Sequence, residues 1–341
     1  MEDQKELYKL SLKFRDLAPW KCMTDSDLFG IQDPQTGQMG YCCVLGNARN
    51  EYGLVVYLGT EGLKAYLRIF RERFDPEDPD LMHVQKTLNL TFERRSCLPG
   101  EDLKLLDSLG FHLNESQLCP LIRSYLPGYF PWHLTGEQAR YMSLALSQVM
   151  EVYPRFKANP RMFSPPEPGE FFARMSQRED SGVTWTDRWF TPPAEDRAAL
   201  SAKPLDREEA GRIKQDIGAK KGTWEVHSFY SPVPVKDGTN RPFYGRIFLW
   251  MDSGADFILK THLLHPSKEY ENEFTRQFLE IIREVKSMPE KVFVTNGEFL
   301  ALLEPVRLAF GIDVVLVKKF KRIGQARLKM KEYMSKGLEK Q

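Results

Sequence analysis

The side chains best placed to do chemistry are six carboxylates in the last third of the chain: Glu225, Asp252, Asp256, Glu298, Glu304 and Asp313. Several of them converging on ions about 4 Å apart would hold the Mg or Mn pair that activates water for phosphodiester hydrolysis. Their local settings point elsewhere. Glu225 alternates with Trp224 and Val226 in a strand-like run, so it faces away from them and shares a face with His227. Asp252 and Asp256 bracket a turn, where Asp serves backbone geometry. Glu298 follows Asn296-Gly297 at a helix start, where a carboxylate complements the dipole without a metal. The leading expectation is therefore no catalytic residue and no cofactor. The set Glu225, Asp252 and Glu298 stands as the alternative, a Mg- or Mn-dependent nuclease site with relocated carboxylates.

Other chemistries find less support. Of the six histidines only His262 and His265 lie close, and a separation of three on a strand sends them to opposite faces. The five cysteines show no metal-ligand spacing, and adjacent Cys42-Cys43 in an apolar run predicts buried free thiols, one on each face of a strand. Gly53, Gly59 and Gly62 make neither a dinucleotide fingerprint nor a phosphate loop, and no Ser sits in a nucleophile elbow.

Binding chemistry is better represented. Tyr125, Tyr129, Phe130 and Trp132 lie between Arg123 and His133, the aromatic-with-basic pattern that stacks nucleobases or peptide side chains. A final helix over Phe320–Leu338 carries an apolar stripe at Phe320, Ile323, Met330, Tyr333 and Met334, expected to face a sheet. Its other face holds Lys319, Lys321, Arg322, Lys329, Lys331 and Lys336, expected to be solvated. The candidate binding residues are thus Lys319, Lys321, Arg322, Lys329, Lys331, Tyr129 and Trp132, for a partner that is protein or nucleic acid.

Bulk properties bound these readings. At 341 residues the chain is long for one core and comfortable for two. Its 42% hydrophobic and 28% charged residues are globular values, and a net charge of +1 gives no global argument for an anionic partner. The charge is uneven: from Lys318 onward nine Lys/Arg face two Glu, which leaves the preceding chain net negative. The first residues open a charged helix with no apolar signal core, and no window approaches eighteen uninterrupted apolar residues. A cytoplasmic protein with no membrane partner is expected.

The elements that must position these residues fall into two sets. Residues 1–158 read as an N-terminal α/β domain. It opens with a helix over Gln4–Leu17 and strands over Asp27–Gln32, Met39–Leu45 and Tyr52–Leu58. A helix capped by Thr60, a strand over Leu88–Phe92, a helix closed by Gly110, a strand ending at Tyr125 and a long helix capped by Thr135 follow. Asp75–Asp80 reads as a solvated acidic loop. Pro154–Pro168 holds five of the chain's 22 prolines, so a boundary is placed near residue 160, with 159–222 a linker, hairpin and helix capped by Asp206. Residues 223–341 form the second domain. Its strands are Trp224–Phe229, Phe243–Met251, Asp256–Leu264, Lys291–Thr295 and Ile312–Val317, with one helix before and one after Lys291–Thr295. The first half repeats this order and reads as a diverged copy of it.

Three strands, helix, strand, helix, strand resembles a ribonuclease H-like domain of the integrase type, covering roughly 95 residues. The likeness is most specific at Val294-Thr295-Asn296-Gly297-Glu298-Phe299, where that family carries Asp-Asn-Gly followed by an aromatic. The resemblance implies a mixed sheet with flanking helices and with Lys291–Thr295 beside, and parallel to, the Trp224 strand. It also implies metal-holding carboxylates at His227 and Thr295, where this chain has none, and no glutamate of the last helix stands where the third would be. Two further phrases, Asp27-Leu28-Phe29-Gly30-Ile31-Gln32-Asp33-Pro34-Gln35-Thr36-Gly37 with Tyr57-Leu58-Gly59-Thr60-Glu61-Gly62-Leu63, and Arg123-Ser124-Tyr125-Leu126-Pro127-Gly128-Tyr129-Phe130-Pro131-Trp132, resemble a bacterial domain-of-unknown-function family over nearly the full chain. The expected fold is α+β or mixed α/β in two domains. The expected function is a non-catalytic binding or scaffold protein, a pseudoenzyme on a degenerate ribonuclease H-like fold.

Overall fold

The computed structural model of the chain puts adjacent Cys42 and Cys43 on opposite faces of one strand, as a two-residue period requires, and each face is covered by helices. All five cysteines are free thiols. The structure describes residues 2–47, 51–72, 83–180, 182–193, 202–217, 220–236, 238, 240–320 and 322–338. Asp75–Asp80 lies outside them. Contacts divide the chain into two units, Met1–Pro127 with Pro131–Glu195, and Gly128–Phe130 with Asp196–Gln341.

In the first unit α1 (Glu2–Leu17) precedes strands β1 (Phe29–Gln32), β2 (Met39–Leu45) and β3 (Gly53–Leu58). Then follow α2 (Gly59–Glu72), β4 (Thr87–Arg94), α3 (Gly100–Ser108), β5 (Leu118–Tyr125), α4 (Gly136–Ala158) and the hairpin β6 (Phe171–Glu179) and β7 (Gly182–Phe190). The helix α2 begins at Gly59, whose φ of +62° suits glycine, so Thr60 sits inside the first turn and is not its cap. Thr135 does cap α4: its hydroxyl accepts from Gln138 N, and the Gln138 side chain accepts from Thr135 N.

These strands form one sheet in the order β5-β4-β3-β2-β1-β6-β7. The expected boundary near residue 160 falls inside this unit, because β6 pairs in parallel with β1 and carries β7 with it. One face is packed by α1, α3 and α4, with Phe14, Leu106, Met142 and Val149 buried; α2 covers the other through Leu63 and Tyr66. Asp33 and Arg140 make a double hydrogen bond, at 2.9 and 2.6 Å, between the β1–β2 turn and α4.

The second unit holds α5 (Arg207–Asp216), β8 (Thr223–Tyr230), β9 (Arg246–Asp252), β10 (Phe257–Leu264), α6 (Glu273–Val285), β11 (Lys291–Val294), α7 (Gly297–Leu302), α8 (Glu304–Phe310), β12 (Asp313–Leu316) and α9 (Ile323–Leu338). Its sheet runs β10-β9-β8-β11-β12, so the first strand of the set is central. β8, β9 and β10 are antiparallel neighbours, whereas β11 lies parallel to β8 with Lys291 opposite Thr223, as the crossover through α6 predicts. The single helix expected after β11 is broken into α7 and α8. Pro305, at the start of α8, cannot donate a backbone hydrogen bond into a continuous helix. Both sheets are mixed, and the chain is of mixed α/β class.

The halves share an order of elements but not a topology. In the first unit the fourth strand adds antiparallel to the third; in the second unit the fourth strand adds parallel to the first. The first half is therefore not a copy of the second fold.

One face of the second sheet is closed by α5 to α8 over an aromatic core of Trp224, Phe248, Trp250, Phe274 and Phe278. Trp250 is fully buried, and its Nε1 donates to Gln277 Oε1 at 2.9 Å, which satisfies its one polar atom. Trp250→Ala leaves a large cavity and an orphaned amide, and should cost about 3–5 kcal/mol. Amide hydrogen exchange should register the loss as reduced protection of β8 and β9.

Candidate functional site

Alternation along β8 sends Glu225, His227 and Phe229 to the face that α9 covers, and Trp224, Val226 and Ser228 to the face beneath α6. Glu225 is wholly buried in the middle of the sheet. Its Oε2 accepts the backbone N–H of Arg322 and of Ile323, both at 3.0 Å, so the carboxylate closes the N-terminus of α9. Anionic acceptors at this end satisfy donors that a helix leaves unused and complement its dipole. His227, half-buried, stands among the rings of Phe229, Phe299 and Phe320, with centroids 5.7, 6.1 and 5.3 Å away. Continuing the register of Phe293 opposite Glu225 brings Thr295 level with His227.

At the same end of the sheet, on the other face, a polar group gathers round Arg246. Its Nε donates to Ser228 Oγ at 2.6 Å, and its guanidinium lies 3.6 Å from the centre of the Tyr270 ring. Tyr270 donates its hydroxyl to Glu298, and Glu298 N is in turn held by Asn296 Oδ1 at 2.9 Å. Burial pushes the Tyr270 phenol up to about 12, with the Glu298 carboxylate adding to the shift against the opposing charge of Arg246. Burial likewise raises Tyr230 at the end of β8. Charge, phenol and carboxylate are committed to one another, and they tie the start of α7 and the segment before α6 to β8 and β9.

Tyr129 and Trp132 fall in different units. Tyr129 belongs to the second unit, bridged antiparallel to Phe243, with the Arg241 guanidinium 5.5 Å from its ring and His265 edge-on at 6.1 Å. Arg241 donates to Phe130 O at 2.7 Å, and burial pulls its guanidinium down to about 10, leaving it charged at neutral pH. Trp132 belongs to the first unit, where its backbone pairs with Ser124 at 2.8 and 3.1 Å.

Glu225, Asp252 and Glu298 are not brought together either. Asp252 stands at the far end of β9, opposite Trp224, and its Oδ1 accepts Gly254 N at 2.8 Å and Ala255 N at 3.0 Å, the backbone role its turn position favours. Glu298 sits at the opposite end of the sheet, and Glu225 faces α9. Among the described residues no three His, Cys, Asp or Glu side chains are grouped to hold a metal ion. His262 pairs with Glu273 at 3.2 Å, and His265 with Ser267 at 2.7 Å.

Of the basic set, Lys319, Arg322 and Lys329 are exposed, with Arg322 Nε 3.6 Å from Asp256 Oδ1. Lys321 lies outside the described residues, as do the side chains of Lys331 and Lys336. The apolar stripe of α9 is only partly used: Ile323 is buried and Phe320, Ala326 and Met330 pack against it, but Tyr333 is 83% exposed. The helix packs on the sheet through Ile323, Ala326 and Met330, while Tyr333 lines an open groove with Met251 and Ile258. Several grooves are lined by this unit. Among them, one of about 780 Å³ lies between α5 and α8 and another of about 390 Å³ between α9 and the β9–β10 hairpin; neither takes in Arg246, Tyr270 or Glu298.

Sequence reasoning missed the Arg246–Tyr270–Glu298 group, whose members are 24 and 28 residues apart and share no local pattern. It also missed the capping role of Glu225, although an acid alternating with buried apolar residues on a central strand is the signal for a charge in need of donors.

Residues 5–174 match a family model described as a domain of unknown function (DUF7309), and residues 209–331 match another described as a domain of unknown function (DUF6930). Together the two cover most of the chain. No curated protein and no solved structure matches it. No helix among the described residues is long and apolar enough to cross a membrane.

Two expectations follow from this geometry. Glu225→Ala strips both N–H groups of α9 of a buried acceptor and should destabilise the second unit by about 1–3 kcal/mol, read as a lower urea midpoint. Tyr270 has a raised pKa in the folded state, so its contribution is complete below pH 10 and is lost as pH rises toward 12. The difference in tyrosinate absorbance between the native chain and Tyr270→Phe should therefore titrate near pH 12 rather than near 10.

Proposed function

We propose that the chain is a non-catalytic binding or scaffold protein of the bacterial cytosol, with its second unit on a degenerate ribonuclease H-like fold. The sheet order, with the first strand central, the second and third antiparallel to its side and the fourth parallel on the other, supports the fold reading. The observation that carries the functional reading is what occupies the two positions where enzymes on that scaffold hold metals. His227 is packed among three aromatic rings, and Thr295 lies level with it, so neither supplies a carboxylate. Glu225, the buried acid on that face among the described residues, has its Oε2 committed to the backbone donors of Arg322 and Ile323 at the start of α9.

The Glu225 cap fixes α9 across the sheet, with Lys329 of the helix and Lys319 and Arg322 just before it exposed to solvent. A partner, protein or nucleic acid, is engaged through this face. The alternative reading, a Mg- or Mn-dependent nuclease using Glu225, Asp252 and Glu298, requires these side chains to leave their present partners and converge from both faces and both ends of one sheet.

Incubation of the full chain with single-stranded and duplex DNA and RNA in Mn2+ should give no cleavage above a metal-free control. Cleavage that needs Mn2+ and disappears in Glu298→Gln would reverse the assignment in favour of the nuclease. Glu298→Gln keeps a hydrogen-bond acceptor for Tyr270, so loss of folding would not imitate that result.

A further inference from the structure

The groove between α9 and the β9–β10 hairpin has a floor and a rim of different chemistry. The floor is apolar and pliable: Met251 and Ile258 from the hairpin, with Ala326, Met330, Tyr333 and Met334 from the helix. Methionine side chains adapt their shape to a guest more readily than branched ones do. The rim carries Arg322 and Lys329, and among the described lining residues the one acid, Asp256, is paired with Arg322. Ile258 is 41% exposed in the groove, and beyond it Leu263, on the same face of the edge strand β10, is 53% exposed. Apolar surface therefore runs from Tyr333 to Ile258 of the hairpin, with Lys329 and Arg322 beside it.

We propose that this groove docks an acidic amphipathic helix of a partner protein, a reading that rests on the binding function proposed above and names the partner's chemistry. A helix offering aliphatic or aromatic residues at i, i+3, i+4 and i+7 would lay them on the methionine floor, between α9 and β10. Glutamates or aspartates on its flanks would meet Lys329 and the charge of Arg322 that Asp256 only partly neutralises. A nucleic-acid duplex is the poorer guest, because its phosphates would satisfy the rim and leave the apolar floor without a partner.

The test is selection from a displayed library of helical peptides about four turns long. Apolar residues are fixed at i, i+3, i+4 and i+7, and the remaining positions vary among Glu, Gln, Lys and Ala. Selected against the full chain, the library should enrich Glu over Lys. Affinity of the enriched peptides should fall about tenfold or more in Tyr333→Glu and in Lys329→Glu, by intruding charge and by reversed rim charge. Both side chains are exposed, so unchanged circular dichroism melts certify the fold, and Lys329→Gln should lie between. Enrichment of Lys, enrichment no better than for a library with Ser at the apolar positions, or binding untouched by Tyr333→Glu would overturn the proposal. Duplex or single-stranded oligonucleotides that bind this face while no peptide does would also overturn it, yet leave the non-catalytic binding reading intact. Mn2+-dependent cleavage sinks that reading whatever the peptides do.

Discussion

Glu225 puts a carboxylate into the middle of a sheet, and a buried anion without donors is among the costliest features a fold can carry. The second unit meets the constraint by ending a loop directly over the charge, so that Arg322 and Ile323 present their backbone N–H groups to Oε2. Much else follows from that contact. It sets where α9 starts, which in turn drives Ile323 into the cluster of Phe229, Ile247, Leu249 and Met251. It also decides which side of the helix faces water. One buried acid thus orients the basic face.

The two faces of this sheet are stabilised differently. Beneath α6 the core is aromatic and closed, with Trp224, Phe248, Trp250, Phe274, Phe278 and Phe299 interlocked at edge-to-face and tilted angles. On the other face a single helix covers part of the sheet, deeply at Ile323 and not at all at Tyr333. Buried apolar area stabilises by about 25 cal/mol per Å2, so the far end of α9 gains little from the domain and the near end gains most. Local opening should therefore begin at the C-terminal turns of α9 and stop at the Glu225 contact. The groove is a product of the same asymmetry, since a helix anchored at one end leaves apolar surface under the other.

Much of this was legible in the sequence where local chemistry decides the outcome. The alternation of Trp224 and Val226 with Glu225 and His227 and the apolar run Ile247–Met251 mark strands, Thr135 and Asp206 mark helix starts, and the short apolar strand after an amphipathic helix calls for a parallel partner. What failed depends on pairing partners far away in the chain. The order of elements in the two halves is alike, but β4 joins β3 in one and β11 joins β8 in the other, and no local signal separates these outcomes. The proline-rich stretch after α4 reads as a boundary because prolines end helices. Yet the hairpin beyond it returns to β1, which only the tertiary structure records. Tyr333 was expected at the sheet because it shares the stripe of Ile323 and Met330; periodicity gives the face of a helix but not the length over which that face is covered.

The candidate site was less legible than the fold for a related reason. Asp252 and Glu298 were read correctly as a turn acid and a helix-start acid, because those roles are set by their immediate neighbours. Arg246, Ser228, Tyr270 and Glu298 come from four different segments, and each alone looks like an ordinary surface residue. Their union has a structural logic: the end of a central strand, the start of its antiparallel neighbour and the junction after its parallel neighbour converge where the sheet order turns. Open sheets place ligands at such points when the converging side chains are left unsatisfied. Here Arg246 lies over Tyr270 and donates to Ser228, and Tyr270 donates to Glu298, so the junction is closed by its own residues. The groove proposed for a partner lies on the opposite face of the same sheet, along α9.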